Sequence, residues 1–278
     1  MTELRAVTAA GERVSAVLHR ERHEPGAVEL LVSAAEVWRL FPEIGVTGTA
    51  GMDALLRALR AELDRDPPGE DSACVVTWPS RDAEAIRAFL DHGLAPMTAL
   101  AVRTAPPEPV AELPGVTIRR ARPEDFDAAL DLALEIFDYS TLVALPRREE
   151  TAEVLAPDLR RKLDQGTAPV WVAEVDGVVA GLADCSWVDV TADSGAAELL
   201  PLGSWGYLNN VGTARELRGR GIGRALAGTT HEYFHERGAT GTYLYYNPPN
   251  PLSSVFWHRQ GYRPLRTIWE VRPASLLR

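Results

Sequence analysis

The sequence predicts an α/β protein in which two units of similar plan follow each other along the chain. Residues 73–78 form an apolar run typical of a strand, and residues 83–92 have a helical pattern with a glycine just past its end. The stretch 89–96 is repeated at 257–264, each copy following a strand and a helix and preceding an apolar strand that ends in Val-Arg. The length of 278 residues and a hydrophobic content of 46% predict two domains with an ample core.

A proline-rich linker at 104–114 separates the two units. The first unit is residues 1–103. Alternating apolar residues predict strands at 13–18 and 27–33, and a helical spacing of leucines predicts a helix at 52–63. This unit has no Arg-x-x-Gly-x-Gly turn before its first helix and no room for two further helices. We therefore predict that it is a shortened version of the second unit, residues 115–278; the alternative is a coincidental β-α-β similarity.

The second unit begins with a strand and two helices and continues with a hairpin. Asp176-Gly177 is a favoured two-residue hairpin turn between two apolar runs. The predicted elements are a strand at 116–121, helices at 122–137 and 149–165, and the hairpin strands at 170–175 and 178–187.

Composition excludes several classes of function. The net charge of −10 argues against nucleic acid as a partner, and no apolar run approaches the roughly 18 residues of a membrane helix. The N-terminal stretch has no apolar signal-peptide core. Cys74 and Cys185 lie in apolar runs, which predicts reduced core residues of a cytoplasmic protein, with an acyl-carrying Cys185 as the minor alternative.

A glycine-rich loop lies between an apolar strand at 205–213 and a helical pattern at 222–237. The loop reads Arg218-Gly219-Arg220-Gly221-Ile222-Gly223-Arg224. Its successive backbone N–H groups and the positive end of the helix dipole predict a site for phosphate or pyrophosphate. The dinucleotide fingerprint fails because its last glycine is replaced by Arg224, and a triphosphate P-loop fails because the chain has no Gly-Lys-Ser/Thr here.

The order R-x-x-G-x-G, formed by Arg218, Gly221 and Gly223, is followed by a second spaced motif. That motif resembles N-x-x-A-x-x-L-Y-x-x-x-G-F, with matches at Asn250, Ser253, Phe256, Gly261 and Tyr262. Together the two motifs resemble those of the GNAT N-acetyltransferase superfamily over residues 115–278. The resemblance implies a mixed central sheet flanked by helices, two tandem GNAT-like units of which the first is degenerate, and acetyl-CoA (coenzyme A) as cofactor.

The resemblance also implies which residues bind the cofactor. The strands before and after the loop are expected to splay apart, with the pantetheine arm between them and the pyrophosphate on the loop. The implied cofactor-binding residues are Val211, Thr213, Arg218, Gly219, Arg220, Gly221, Ile222, Gly223, Arg224, Asn250, Ser253 and Phe256. We assign no metal-binding residues.

The catalytic groups depart from the family pattern. The position of the base in some relatives is Tyr207, and Asn209 shares its face of the strand; the two could order a water that takes the amine proton, or only shape the acceptor pocket. The tyrosine that usually acts as acid is replaced by Trp257, which has no proton to give. We expect His258 to face solvent, and Tyr245 and Tyr246 are alternative donors.

The acceptor is predicted to be a small amine. In the family it is bound by the turn after the first helix and the loop before the fourth strand, here carrying Asp138, Tyr139, Ser140, Asp189 and Glu198. The sequence therefore predicts an acetyl-CoA-dependent N-acetyltransferase that is a monomer or homodimer. Two alternatives stay open, namely a non-catalytic acyl-CoA-binding or regulatory protein and an acyltransferase for a longer acyl-CoA.

Overall fold

The structure, a computed structural model, describes residues 1–110 and 112–278, and this part of the chain folds around one mixed sheet of eleven strands. The strands are β1 (Thr2–Val7), β2 (Arg13–Arg22), β3 (Glu36–Glu43), β4 (Ser72–Pro79), β5 (Ala95–Arg103), β6 (Val116–Arg120), β7 (Val170–Val175), β8 (Val178–Val190), β9 (Gly203–Thr213), β10 (Gly241–Tyr246) and β11 (Arg263–Val271). The α-helices are α1 (Gly48–Arg65), α2 (Ala83–Asp91), α3 (Phe126–Thr141), α4 (Thr151–Gln165), α5 (Ile222–Glu236) and α6 (Pro251–Arg259). None of the described helices is long and apolar enough to cross a membrane. The predicted fold class, a mixed sheet flanked by helices, is confirmed.

The two halves of the chain exchange their last strands. Strand β11 inserts between β4 and β5 and is antiparallel to both, and β5 is antiparallel to β10 on its other side. The full order is β1-β2-β3-β4-β11-β5-β10-β9-β8-β7-β6. Each half therefore completes its sheet with a strand of the other half, while the domain limits 1–103 and 115–278 stay a prediction.

Helices α1, α2, α5 and α6 lie on one face of the sheet. Phe89 of α2 stacks on Trp269 of β11 at 5.2 Å between ring centroids, and Leu226 of α5 belongs to the same core cluster as Ala99 of β5. Helices α3 and α4 pack on the other face, around Leu182 of β8. On that second face Val37, Ala73 and Val75 are buried together with Ala34, whereas Val17 of β2 and Phe41 of β3 are exposed.

The predicted strand at 27–33 is wrong. Val28–Leu31 is a short 3-10 helix in the connection between β2 and β3, and the strand is Glu36–Glu43, which pairs antiparallel with β2 along its whole length. The sequence hides β3 because Arg39 and Pro42 interrupt its apolar residues. Pairing with β2, a non-local interaction, decides which segment extends.

Candidate active site

Strands β9 and β10 diverge after a short parallel pairing. Three residue pairs join them, the last between Tyr207 and Tyr243. Beyond that point β9 continues to Thr213 and β10 to Tyr246, with no further pair between them among the described residues. Strand β10 keeps its pairing with β5 on its other side. The result is a wedge-shaped gap in the sheet that opens toward the glycine-rich loop after β9.

A β-bulge places Asn209 at the side of this gap. Asp184 of β8 pairs with Asn210 and Cys185 pairs with Leu208, so Asn209 is an extra residue on β9. The Tyr207 hydroxyl donates to Asn209 Oδ1 at 3.1 Å, and Asn209 Nδ2 donates to Asp184 Oδ2 at 2.8 Å. Because a carboxylate accepts only from the amide nitrogen, Asp184 fixes the orientation of the amide and directs Oδ1 toward Tyr207.

Asp184 is in turn held by a buried ion pair. Lys162 of α4 and Asp184 are only 6% and 5% exposed, and Lys162 Nζ lies 2.8 Å and 3.0 Å from the two carboxylate oxygens. Asp158 contributes a second carboxylate at 2.9 Å from the same nitrogen. Burial lowers the pKa of Lys162, but the attraction and hydrogen bonds of Asp184 and Asp158 outweigh it and raise this pKa overall. The ammonium group therefore stays charged beneath the site.

The glycine-rich loop presents free backbone donors at the start of α5. Gly219 and Gly221 have φ of +80° and +88°, a backbone conformation that is strained for any residue with a side chain. The space beside Gly219 is open, because a Cβ there would meet nothing within 4 Å. Among the described residues, no backbone carbonyl or side chain accepts from the N–H groups of residues 219–224. These orphan donors, at the positive end of the helix dipole, fit a pyrophosphate.

The three loop arginines are used differently from one another. The Arg218 guanidinium donates to Glu135 of α3 at 2.6 Å and to the Thr213 carbonyl at 3.2 Å, so it fastens the loop to α3. The Arg224 side chain is largely exposed and lies 3.7 Å from Glu108. Arg220 is exposed and lies outside the cavity described next. The positive charge expected at the pyrophosphate therefore comes mainly from the backbone.

One cavity of about 1420 Å³ joins the gap, the loop and the start of α6. Apart from Arg220, every residue predicted for catalysis or cofactor binding lines it, namely Tyr207, Asn209, Val211, Thr213, Arg218, Gly219, Gly221, Ile222, Gly223, Arg224, Asn250, Ser253 and Phe256. Asn250 has a structural task there as well. Its Oδ1 accepts from the N–H groups of Leu252 and Ser253 at 3.1 Å and 3.2 Å and caps α6.

The aromatic residues near the gap either pack against one another or are tyrosines that keep their phenolic proton. Trp257 is 7% exposed and packs edge-on against Tyr262, while His258 faces solvent as expected. Tyr207 stacks on Tyr243 at 4.8 Å. Burial first, and then the neighbouring tyrosines, raises the pKa of Tyr207, so its phenol stays neutral at physiological pH. Burial also raises the pKa of Tyr245, which lines the cavity.

Residues 137–262 match the model of the acetyltransferase (GNAT) family. A GCN5-related N-acetyltransferase from Sphaerobacter thermophilus is similar in structure over 96% of this chain and 80% of that chain, with a TM-score of 0.58 and 20% identity. Two further similar structures cover about half of this chain. One is an aminoglycoside N-acetyltransferase solved with CoA, with a TM-score of 0.44 and 15% identity over 54% of this chain and 89% of that chain. The other is a predicted acetyltransferase from Clostridium acetobutylicum solved with acetyl-CoA, with a TM-score of 0.43 and 18% identity over 53% of this chain and 90% of that chain. A search of curated protein sequences found no match. The match to the family model over residues 137–262 agrees with the acyltransferase class and the acetyl-CoA cofactor that the sequence predicts.

The end of the cavity where the sequence predicts the acceptor differs from the sequence expectation. Tyr139 and Ser140 of α3 line it, but the acidic residues expected beside them, Asp138, Asp189 and Glu198, are exposed and lie outside it. The lining includes residues of β4, β5 and β11 that the sequence did not indicate, because they reach the site only through the strand exchange.

The start of helix α1 in the N-terminal half is closed by side chains. Helix α1 follows β3 as α5 follows β9, but Glu84 of α2 lies against Gly48 at the start of α1. Thr49 Oγ1 donates to the Glu84 carbonyl at 2.6 Å and draws the two helices together. A carboxylate thus lies at the start of α1, at the positive end of its helix dipole.

Proposed function

We propose that the chain is an acetyl-CoA-dependent N-acetyltransferase that acts on a small amine. The observation that carries this is the gap between β9 and β10, which has free N–H donors of residues 219–224 at one end and the Tyr207–Asn209 pair at the other. A cofactor with a diphosphate and a narrow arm fits the first end, and an amine fits the second.

The cofactor would be held mainly by the backbone. The N–H groups of residues 219–224 would bind the pyrophosphate, and the backbone of Val211 and Thr213, unpaired on the gap side, would bind the pantetheine arm. Ser253 and Phe256 of α6 would line the arm. Acetyl-CoA supplies the thioester from which the acetyl group is transferred.

Asn209 and Tyr207 would orient the acceptor. Asn209 Oδ1 can accept an N–H of the amine, since Asp184 already holds the amide nitrogen. Tyr207 keeps its proton and can donate but cannot act as a base at neutral pH. The proton of the amine therefore goes to water, and the residues act by positioning.

A non-catalytic acyl-CoA-binding protein is the second candidate, and the observation in its favour is Trp257. This residue stands where the family places its acid, and it is buried against Tyr262 with no hydroxyl to offer. Turnover of any amine, followed by detection of free CoA thiol, excludes this candidate.

The two cysteines contribute no nucleophile to the proposed reaction. Cys74 and Cys185 are free and fully buried, and burial raises the pKa of Cys74 to about 12 and that of Cys185 well above its ordinary value. Buried, unpaired thiols suit a reducing compartment, and we propose that the protein is cytoplasmic.

Calorimetric titration with acetyl-CoA tests the cofactor site. Gly221→Glu places a carboxylate at the start of α5, where the pyrophosphate should lie, and should weaken binding about 100-fold or more. Gly238→Glu is the control, because it also changes a glycine of positive φ, just past the other end of α5. A Cβ at Gly238 meets nothing within 4 Å, and one at Gly221 makes only an ordinary contact with Leu113 at 3.4 Å. Equal affinity of the wild type and Gly221→Glu, or no binding by the wild type, would refute the assignment.

A further inference from the structure

The cavity continues beyond Tyr245 across strands of the N-terminal half. Thr98 of β5, Ile268 of β11 and Thr77 of β4 are paired side by side, and all three line the cavity. Val32 and Ser33, in the connection between β2 and β3, line the same part of the cavity. The acceptor end is therefore a surface that both halves build, and it is long enough to contact an acceptor at a second point.

The cavity is richer in cations than the protein as a whole. The chain has 39 acidic and 29 basic residues, but basic residues outnumber acidic ones among those that line the cavity. Its charged members among the described residues are Arg39, Arg103, Glu108, Arg218, Arg224, Arg259, Arg266 and Glu270. A polyanionic cofactor explains the arginines near the loop but not those on β3 and β11, at the acceptor end.

Of the acceptor-end charges, Arg266 alone is available to a ligand. Arg39 donates to Glu21 at 2.6 Å, and Glu270 is paired with Arg272. Arg266 is half-buried and donates one N–H to the Glu198 carbonyl at 3.1 Å, and it forms no salt bridge with a carboxylate of the described residues. A planar guanidinium with free donors binds a carboxylate in a fixed geometry.

Arg266 shares a face of the sheet with Tyr245, which in turn contacts Tyr207. Leu100 of β5 is paired with Tyr245 on one side and with Arg266 on the other, so the three side chains share one face. Two strand spacings separate the backbones of Tyr245 and Arg266, about 10 Å. The Tyr245 ring lies 6.2 Å from the Tyr207 ring. A small molecule can therefore span from Tyr207 to Arg266.

We propose that Arg266 binds a carboxylate on the acceptor, so that the substrate is an amine that also carries an acid group, such as an amino acid or a short peptide. The inference rests on the proposed acetyltransferase function. One free guanidinium matches a single negative charge. Arg266 is a specificity-determining residue, and Asn209 and Tyr207 orient the amine.

Paired acceptors test this on the full-length protein. β-Alanine, 4-aminobutyrate and glycylglycine are each compared with their carboxamides by detecting free CoA thiol, in the wild type, in Arg266→Gln and in Arg263→Gln. Arg263 is a matched control because it is an exposed arginine on the same strand, outside the cavity. We expect Arg266→Gln to lower kcat/KM for the acids about tenfold or more, with a much smaller effect on the amides.

The outcomes separate the inference from the proposed function. If the wild type binds acetyl-CoA but turns over no acid, or prefers amides, the Arg266 inference fails while the cofactor site stands. The Arg266 inference also fails if Arg266→Gln lowers kcat/KM equally for the acids and the amides, or if Arg263→Gln lowers kcat/KM for the acids as much as Arg266→Gln does. If the wild type binds no acetyl-CoA in calorimetry, the proposed function itself fails. The inference is supported if kcat/KM falls selectively for the acid acceptors in Arg266→Gln and not in Arg263→Gln.

Discussion

Asn209 owes its position in the site to one extra residue in β9. The ladder between β8 and β9 continues on both sides of the bulge, and Asn209 is the residue that has no partner in it. The inserted residue leaves the Asn209 side chain exposed at the gap while its amide nitrogen reaches Asp184. The family resemblance indicated Tyr207 and strand periodicity added Asn209, whereas the partner of Asn209 on β8 lies 25 residues away and has no local signal.

His231 is a buried, neutral histidine that lines the cofactor side of the cavity. It is 5% exposed, and its Nε2 lies 3.0 Å from the Tyr262 hydroxyl, which also contacts Thr242 at 2.8 Å. Burial, reinforced by the charge of Arg103, lowers the pKa of His231 to about 3. In the folded protein His231 therefore stays neutral well below pH 6.5, whereas in the unfolded chain the same imidazole is protonated below about pH 6.5.

We predict that the free energy of unfolding falls as the pH is lowered through this window. Because the folded pKa is the lower one, the unfolded state binds more protons between about pH 6.5 and 3, and stability is lost as pH falls. The loss from His231 between about pH 8 and pH 5 is about 2 kcal/mol. Urea unfolding at both pH values measures it, with His231→Gln as control because the amide can still bond to Tyr262. An equal loss in both proteins would contradict the prediction.

The contact between α4 and β8 is the element-scale support of the site. Asp184→Asn removes the charge that compensates Lys162 in a buried position, although Asp158 remains nearby. We predict a decrease of roughly 3 kcal/mol in the free energy of unfolding, since an uncompensated buried charge is costly. The substitution also lets the Asn209 amide rotate, so kcat/KM should fall while acetyl-CoA affinity holds.

The double variant Lys162→Met with Asp184→Asn separates these two effects. Removing the ammonium group should restore much of the lost stability, because no unpaired charge remains. Activity should stay low, because nothing fixes the Asn209 amide. Denaturant unfolding and steady-state kinetics on the three proteins measure both, and full recovery of activity in the double variant would rule out the positioning role of Asp184.

Elements with a strong local pattern could be predicted from the sequence, and elements defined by pairing could not. The leucine spacing of α1 and the Asp176-Gly177 turn of the β7–β8 hairpin are local signals, and both elements are found where predicted. Strand β3 was missed because Arg39 and Pro42 break its pattern. The 27–33 segment has the composition of a strand, but it closes the turn between β2 and β3.

The site divides in the same way. Its cofactor end is a contiguous loop, so the motif R-x-x-G-x-G located it from sequence. Its acceptor end combines Tyr207 with Thr77, Thr98 and Arg266, residues from four strands. The strand order that assembles them is a long-range property, and no periodicity along the chain encodes it.

At the scale of the whole molecule, the linker is not what holds the halves together. Strand β11 is bonded to β4 and β5, and β5 to β10, so each half is tied to the other by complete strand ladders. We predict that a protein with a protease site inserted after Pro107, next to the exposed Glu108, stays one particle after cleavage.

Size-exclusion chromatography of the cleaved protein without denaturant checks this. A single peak at the elution volume of the uncleaved insertion variant is expected, and both fragments should unfold in one thermal transition. Separation of the fragments in native buffer would mean that the shared sheet does not hold the halves.

The exchange of strands also sets an order of events during protein synthesis. Strand β5 is complete once residue 103 has been made, but its neighbours β10 and β11 end at residues 246 and 271. Until then the nascent N-terminal half exposes the unpaired edges of β4 and β5, which are templates for pairing with other chains. The sheet can close only after residue 271 has been translated, so this protein depends on protection of those edges during translation more than a protein with independently folding domains does.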